Sequence, residues 1–397
     1  MTKILIHSNA PYAATGYGVQ TAMLARLLKA DGWDVAISAF YGLHGTTLQW
    51  NDIPVYPGGA HQYGNDVLLP HARHHFGGSL DDGIILTLVD VWVLNAAEHT
   101  RARVANWTPV DHEPMPAHCR DYLAASGSVP VAMSRFGETQ IRAEGLDPLY
   151  VPHAVDTDIF TLADKKDARR QLGLPADKYI IGVCAANKGF PPRKNWPAVF
   201  RAFAKYQEQD PDAMLFCHTE PGGIIQGINL PHLAGMTGVD TNRILFSDQY
   251  QWFIGYPQTH VAALMSAFDV LLNPAVGEGF GVPIIEAQAC GTPVIVTDCT
   301  AMTELCGAGW RVSGEPWYTE QGSWGMLANV DEIVTALAEA RETASSLAER
   351  ARAFALRYDH RMVYREHWQP ALQEILRRTQ PPAFHVTMPP LPATVTV

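Results

Sequence analysis

Several common routes to function are closed to this sequence. No apolar run approaches the roughly 20 residues that carry a helix across a bilayer, so no integral membrane segment is expected. Met1 to His7 holds one lysine and only a short alternation before Ser8 and Asn9, which is too little for a signal peptide and reads as a first strand. Basic residues are in deficit, 29 Lys and Arg against 40 Asp and Glu, for a formal charge of -11. That balance excludes a globally basic nucleic-acid binder, and any anionic ligand would need a locally positive pocket. The six cysteines (Cys119, Cys184, Cys217, Cys290, Cys299 and Cys306) form no CxxC pair. They are expected to be buried, reduced thiols, which points to a cytoplasmic chain. His71, His74 and His75 come without carboxylates at ligand spacing, and no metal is expected. P-loop, GxSxG and HExxH patterns are missing, which removes the usual NTPase, hydrolase and zinc-enzyme readings.

What the chain does have is length and a repeated βα rhythm. At roughly 150 residues per domain, 397 residues suggest two or three domains, and 47% hydrophobic with 17% charged residues is a globular composition. Residues 3–7 read as a strand, 19–30 as an amphipathic helix and 33–38 as a second strand, which opens a parallel sheet. Further strands are expected at 84–89, 104–107, 130–133 and 149–151. A polar stretch at 156–178, with a short helix at 168–172 ending at Gly173, marks a boundary near 155–175. A second set then follows: strands at 179–185, 213–217, 243–246, 270–273 and 293–297, helices at 196–209, 259–267 and 283–289. Two closing helices are expected at 330–349 and 358–378. The fold class is therefore α/β, two doubly wound Rossmann-like domains facing an interdomain cleft, where ligands bind beyond the carboxyl ends of the strands. The expected divisions are 1–160, 161–355, a C-terminal helix at 356–379 that packs back on the first domain, and a Pro-rich tail without charge at 380–397.

The strongest chemical signal is the run Glu278, Gly279, Phe280, Gly281, Val282, Pro283, Ile284, Ile285, Glu286, directly after the strand ending at Asn273. Pro283 suits the first turn of a helix because its missing N–H would be unpaired there anyway. Gly279 and Gly281 allow close backbone approach, and the free amides with the positive helix end suit a phosphate or polarised hydroxyls. Glu278 in the loop and Glu286 one turn into the helix can each accept hydrogen bonds from a vicinal diol. Either glutamate alone would read as a surface acid or a helix-dipole charge. A second constellation, Asn187, Lys188, Gly189, then Arg193, Lys194, Asn195, follows the strand at 179–185 and supplies the local positive charge. Third, Gly16, Tyr17, Gly18 precede the first helix, but Thr21 at the third glycine position and the lack of an acid within 37–40 disfavour an NAD site. Fourth, Asp111, His112, Glu113, Pro114 lie in a loop, where a histidine is by itself most often structural.

The run Glu278 to Glu286 resembles the E-x7-E motif of the retaining family-four glycosyltransferases, the group similar to glycogen synthase, and the similarity extends over nearly the whole chain. The resemblance implies a GT-B fold and a retaining, metal-independent glycosyltransferase, a hexosyltransferase in the main, with a UDP- or GDP-sugar as co-substrate and no other cofactor. It implies that Glu278 contacts the donor sugar hydroxyls, that the amides of Gly279, Phe280, Gly281 and Val282 face sugar and phosphate, and that Glu286 holds the ribose. Lys194 matches the family's lysine; its arginine slot is shared between Asn187, near the usual position, and Arg193, beside the lysine. Gly16 and Gly18 match the loop against the donor diphosphate, and His112, before Glu-Pro, matches a histidine beside the donor sugar. Val151 to Asp156 resembles the linker motif, with Ala154 where glycine is usual, and Ser134, Arg135 and Phe136 stand at a serine motif near the cleft. A sugar-nucleotide epimerase of similar fold and a catalytically silent nucleotide-sugar-binding subunit are the competing readings. The acceptor stays open among small molecule, lipid, protein and modified nucleic acid, with the loops at 44–50, 62–76 and 91–99 expected to choose it; oligomeric state is unread.

Overall fold

Short apolar runs such as Ile4–Leu5–Ile6 and Ile84–Ile85–Leu86 are fully buried on both faces, the condition of a strand inside a parallel sheet covered by helices. The computed structural model describes residues 2–380; the tail expected at 380–397 lies, apart from Gln380, outside them. The first sheet comprises β1 (Lys3–Asn9), β2 (Asp34–Tyr41), β3 (Leu48–Trp50), β4 (Ile53–Tyr56), β5 (Gly83–Leu88), β6 (Val104–Thr108), β7 (Val129–Ala132) and β8 (Leu149–Tyr150). Its spatial order is β3-β4-β2-β1-β5-β6-β7-β8, parallel except at the β3/β4 pair. The second sheet comprises β9 (Tyr179–Cys184), β10 (Ala213–His218), β11 (Ile244–Phe246), β12 (Val270–Asn273), β13 (Val294–Thr297) and β14 (Gly309–Val312), in the order β11-β10-β9-β12-β13-β14 and parallel throughout. A separate antiparallel hairpin, β15 (Gly314–Tyr318) with β16 (Trp324–Ala328), follows β14.

Helix boundaries depart from the sequence expectations where side chains compete for the backbone. The helix expected at 168–172 spans Lys165–Leu172, because Asp164 accepts from the Asp167 amide and starts it a turn earlier. The helix expected at 330–349 stops at Thr343, passes through a 3-10 turn and restarts at Ala348. There the Thr343 hydroxyl donates to the Glu339 carbonyl and the Ser346 hydroxyl to the Thr343 carbonyl, which draws acceptors out of the helical ladder. The last helix begins at His360, capped by Asp359, and widens into a π turn at Tyr364–Trp368 just ahead of Pro370, whose ring cannot sit under a regular preceding turn.

These closing helices lie on the first domain. Trp368 packs edge-on against Trp107 with ring centroids 4.8 Å apart, the Tyr364 hydroxyl donates to Asp31 at 2.8 Å, and the Arg103 guanidinium donates to the Leu376 carbonyl at 3.2 Å. One hydrophobic cluster runs from β1 through Trp107 and Val155 to Phe280, Ile284 and Trp368, so apolar packing is continuous across the two sheets. The crossing segment is fixed by Gln20, whose amide donates to the Ala154 carbonyl at 2.7 Å and accepts from the Ala154 N–H at 2.9 Å. Among the described residues no helix is long and apolar enough to cross a membrane.

Candidate functional site

In each sheet the strand order reverses direction at one place, between β1 and β5 in the first and between β9 and β12 in the second. Loops leaving the carboxyl ends of those strands diverge and leave a crevice. In the first sheet the loops are the one entering the helix Gly16–Ala30 and the one at Asp90; in the second they are 185–195 and 274–281. The 274–281 loop meets the loop that follows β6 in the first domain face to face. A Cβ on Gly277 would collide with the Asp111 carbonyl, and one on Gly279 with the Pro109 ring. Gly279, expected to admit a ligand, instead admits the opposite domain.

Arg193, Lys194, Glu278, Asp111 and His112 form one charged cluster in that contact. Lys194 Nζ donates to Glu278, and Arg193 Nη1 donates to Glu278 Oε2 at 3.0 Å and to the Gly277 carbonyl. Arg193 also lies 3.6 Å from Asp111, whose Oδ1 is 2.7 Å from His112 Nδ1. Burial opposes the Glu278 charge, but Lys194 and Arg193 outweigh it and hold the carboxyl below its usual range. Asp111 is likewise opposed by burial, yet the His112 hydrogen bond and Arg193 bring it to about 2. Because an ionised Asp111 can only accept, His112 donates to it through Nδ1, which leaves Nε2 to address another group. Burial, then Arg193, pushes the Lys194 ammonium down, against the pull of Glu278.

The remaining expected residues divide by what holds them. Gly281 takes φ 110° as the residue before the helix Val282–Ala289, a conformation suited to glycine, and Pro283 sits in its first turn. Glu286 is buried, and burial pushes its carboxyl up to about 7. Phe280 turns its ring into the core, 5.3 Å from the His153 ring and 5.8 Å from that of Tyr358. Gly16 has open space where a side chain would stand, whereas Gly18 is pressed against the Ala10 and Ala13 carbonyls and donates to the Thr15 hydroxyl at 3.0 Å. Asn187 requires correction as an arginine stand-in. Its amide donates to the Glu220 and Ile228 carbonyls at 2.9 and 2.7 Å and accepts from the Ile228 N–H at 2.9 Å, which uses it up in folding the 220–228 loop. Arg193 is the guanidinium that joins the cluster. Ser134, expected near the cleft as a contact, caps the helix Arg135–Ala143, and the Arg135 amide donates to Glu304 of the second domain at 2.9 Å.

Sequence reasoning named Asp111 without giving it a role and passed over Thr300. Asp111 stands next to His112, and its role as the acceptor that fixes the imidazole was legible as an adjacent acid. Thr300 accepts from the Glu278 amide at 3.0 Å, from 22 residues away and with no local signal. An open hollow of about 530 Å³ lined by Asp31, Trp33 and Gln373, and a void of about 10 Å³ beside Trp107, both lie away from the charged cluster.

Two doubly wound domains closed around a charged cleft define the GT-B class of fold, and solved structures agree. Sucrose-phosphate synthase from Thermosynechococcus elongatus superposes with a TM-score of 0.70 at 16% identity, over 95% of this chain and 100% of that one. Anabaena Alr3699/HepE in complex with UDP-glucose gives 0.69 at 17% identity, over 94% and 100%. Residues 232–344 match the family model described as glycosyl transferases group 1. The D-inositol 3-phosphate glycosyltransferase of Mycobacterium tuberculosis strain H37Rv is 33% identical over 200 residues, 49% of this chain. That match takes in only 36% of the relative's length. The fold is thus of the GT-B class, and the segment 232–344 is similar to the glycosyl transferases of group 1.

Proposed function

We propose that the protein transfers a sugar from a nucleoside diphosphate sugar to an acceptor hydroxyl, with retention of anomeric configuration and without a divalent metal. The observation that carries this reading is the Arg193–Lys194–Glu278 cluster placed at the strand-order reversal of the second domain and closed over by the Asp111–His112 loop of the first. Two fixed cations in a water-poor cleft supply the charge stabilisation that a departing diphosphate needs, the job a metal ion performs elsewhere. The acceptor oxygen forms its bond to the anomeric carbon as the bond to the phosphate oxygen breaks, and the acceptor proton passes to the diphosphate. Glu278 binds the sugar hydroxyls, Glu286 the ribose, and the free Nε2 of His112 positions the sugar beside the breaking bond. The UDP-glucose bound to the structurally similar Anabaena protein supports a UDP-sugar as first choice, with a GDP-sugar as second. All six cysteines are free, which supports a reducing cytoplasm as the compartment.

Incubation with UDP-glucose, UDP-galactose and GDP-mannose, with nucleotide release followed by phosphorus NMR and the product anomer by proton NMR, tests each part. Release of UDP or GDP that is unaffected by EDTA, with an α-linked or α-hydrolysed product, is the expected result. An epimerised donor without diphosphate release would support an epimerase, and tight binding without turnover a silent subunit. Loss of activity on EDTA treatment would refute metal independence.

A further inference from the structure

The β15–β16 hairpin lies outside the charged cluster, yet it is fastened to both loops that build it. The Met326 amide donates to the Val276 carbonyl at 2.9 Å, two residues before Glu278. On the same strand Trp324 bridges to Glu113 of the first domain: the Glu113 amide donates to the Trp324 carbonyl at 3.0 Å and the Trp324 amide to the Glu113 carbonyl at 2.8 Å. Tyr318 on β15 stands opposite Trp324. Directly opposed residues in antiparallel pairs carry their side chains on one face, so Glu113, Trp324 and Tyr318 form a row across three backbone segments drawn from both domains. The two rings meet edge to face with centroids 5.1 Å apart.

This row is left open. Trp324 is 48% and Tyr318 58% exposed, and Glu113 is exposed beside them, immediately after His112 in the chain. The backbone beneath is fixed, since a Cβ on Gly325 would collide with the Val276 side chain. The hairpin, residues 314–328, contains two glutamates and no lysine or arginine, so the row repels phosphates and polyanions. A ligand that fits two open aromatic faces with a carboxylate at the end is neutral, with an apolar C–H face and hydroxyl donors on its edge.

We propose that Glu113, Trp324 and Tyr318 form an acceptor subsite for a neutral pyranose ring, so that the acceptor is itself a glycoside. The ring lies on Trp324 and Tyr318, and its hydroxyls donate to Glu113. The subsite rests on the transferase reading of the cleft and names the chemistry of the second substrate.

Saturation-transfer NMR of the full chain with the methyl pyranosides of glucose, galactose and mannose tests it. Transfer to the ring protons of at least one methyl pyranoside is expected, with affinity lowered about tenfold by Trp324→Ala and by Tyr318→Ala, and largely restored in Trp324→Phe. A thermal shift with UDP or GDP retained by Trp324→Ala separates a lost subsite from a lost fold. No transfer to any of the three in the wild type, or wild-type affinity in both alanine variants, overturns the subsite. Preference for a phosphorylated sugar or a single-stranded oligonucleotide overturns it in favour of another occupant. Pyranoside binding without any nucleotide shift would instead undo the transferase reading, so the two failures are distinguishable.

Discussion

Lys194 and Arg193 both grip Glu278, yet their removal is expected to have opposite emphases. In Lys194→Met, Glu278 keeps its 3.0 Å bond to Arg193, so its charge stays compensated. Removing one partner from a buried ion pair costs about 3–5 kcal/mol when nothing replaces it. Here the Lys194 side chain is 21% exposed against 7% for Glu278, and the second cation remains. Roughly 1–2 kcal/mol of stability should be lost. Turnover should fall about a hundredfold, near 2.7 kcal/mol, because a donor to the departing charge is gone. Arg193→Met loses more. Its guanidinium also holds the Gly277 carbonyl and faces Asp111, so both domains lose a tie; with the side chain 39% exposed and Lys194 still paired to Glu278, about 2–3 kcal/mol is expected. Urea unfolding of both variants, with nucleotide release at saturating donor, measures the contrast. Equal destabilisation by the two substitutions, or unchanged turnover in a folded Lys194→Met protein, would refute the assignment of distinct roles.

Glu286 gives a pH signature. Its folded carboxyl titrates at about 7, above the ordinary carboxyl range, so between those values the folded state holds a proton that the unfolded state has released. Its contribution to stability is therefore present at low pH and lost as pH rises through about 7; Glu286→Gln should raise the melting temperature at pH 8 and not at pH 5, and equal shifts would count against it. If the carboxylate accepts the ribose hydroxyls, wild-type UDP affinity should fall about tenfold more between pH 8 and pH 6 than that of Glu286→Gln, measured by calorimetry. Asn187→Ala should cost about 1–3 kcal/mol, since it strips three hydrogen bonds from the 220–228 loop, and denaturant midpoints will show it. Trp368→Ala should cost about 3–5 kcal/mol by opening a cavity against Trp107; a loss under 1 kcal/mol in urea titration would mean that the C-terminal helices contribute little to the first domain.

The parallel sheets were readable because their strands are short, doubly buried and spaced by helices, so apolar runs such as 179–184 and 270–273 announce themselves. Both hairpins were missed. The β3–β4 turn places Asn51 and Asp52 at φ 50° and 53°, a two-residue turn whose Asn-Asp pair was visible, but Leu48–Trp50 is mostly exposed and has no apolar alternation. β15 and β16 alternate poorly for the same reason: they pair with each other and, at Trp324, with the Glu113 loop, and most of their residues do not face a core. In the cluster, motif spacing singled out Glu278, Lys194 and His112. It could not choose between Asn187 and Arg193, because the decision lies in the 220–228 loop, which consumes Asn187 from more than thirty residues away.

The paired charges of the cluster also show how so acidic a chain can take an anion. Arg193 and Lys194 are matched by Glu278 and Asp111, so the charges of these four residues balance, in keeping with a formal charge of -11. On the proposed reading, a diphosphate entering the cleft must compete with Glu278 for both cations. Bare phosphate would draw the cations away and leave a buried carboxylate without compensation, at a cost comparable to its own gain. A complete donor brings sugar hydroxyls that can donate to Glu278 as its cations turn to phosphate, so each displaced bond has a replacement. Selectivity for the intact nucleotide sugar over free nucleotide then follows from that exchange of partners, which needs Glu278 to be ion-paired before the donor arrives.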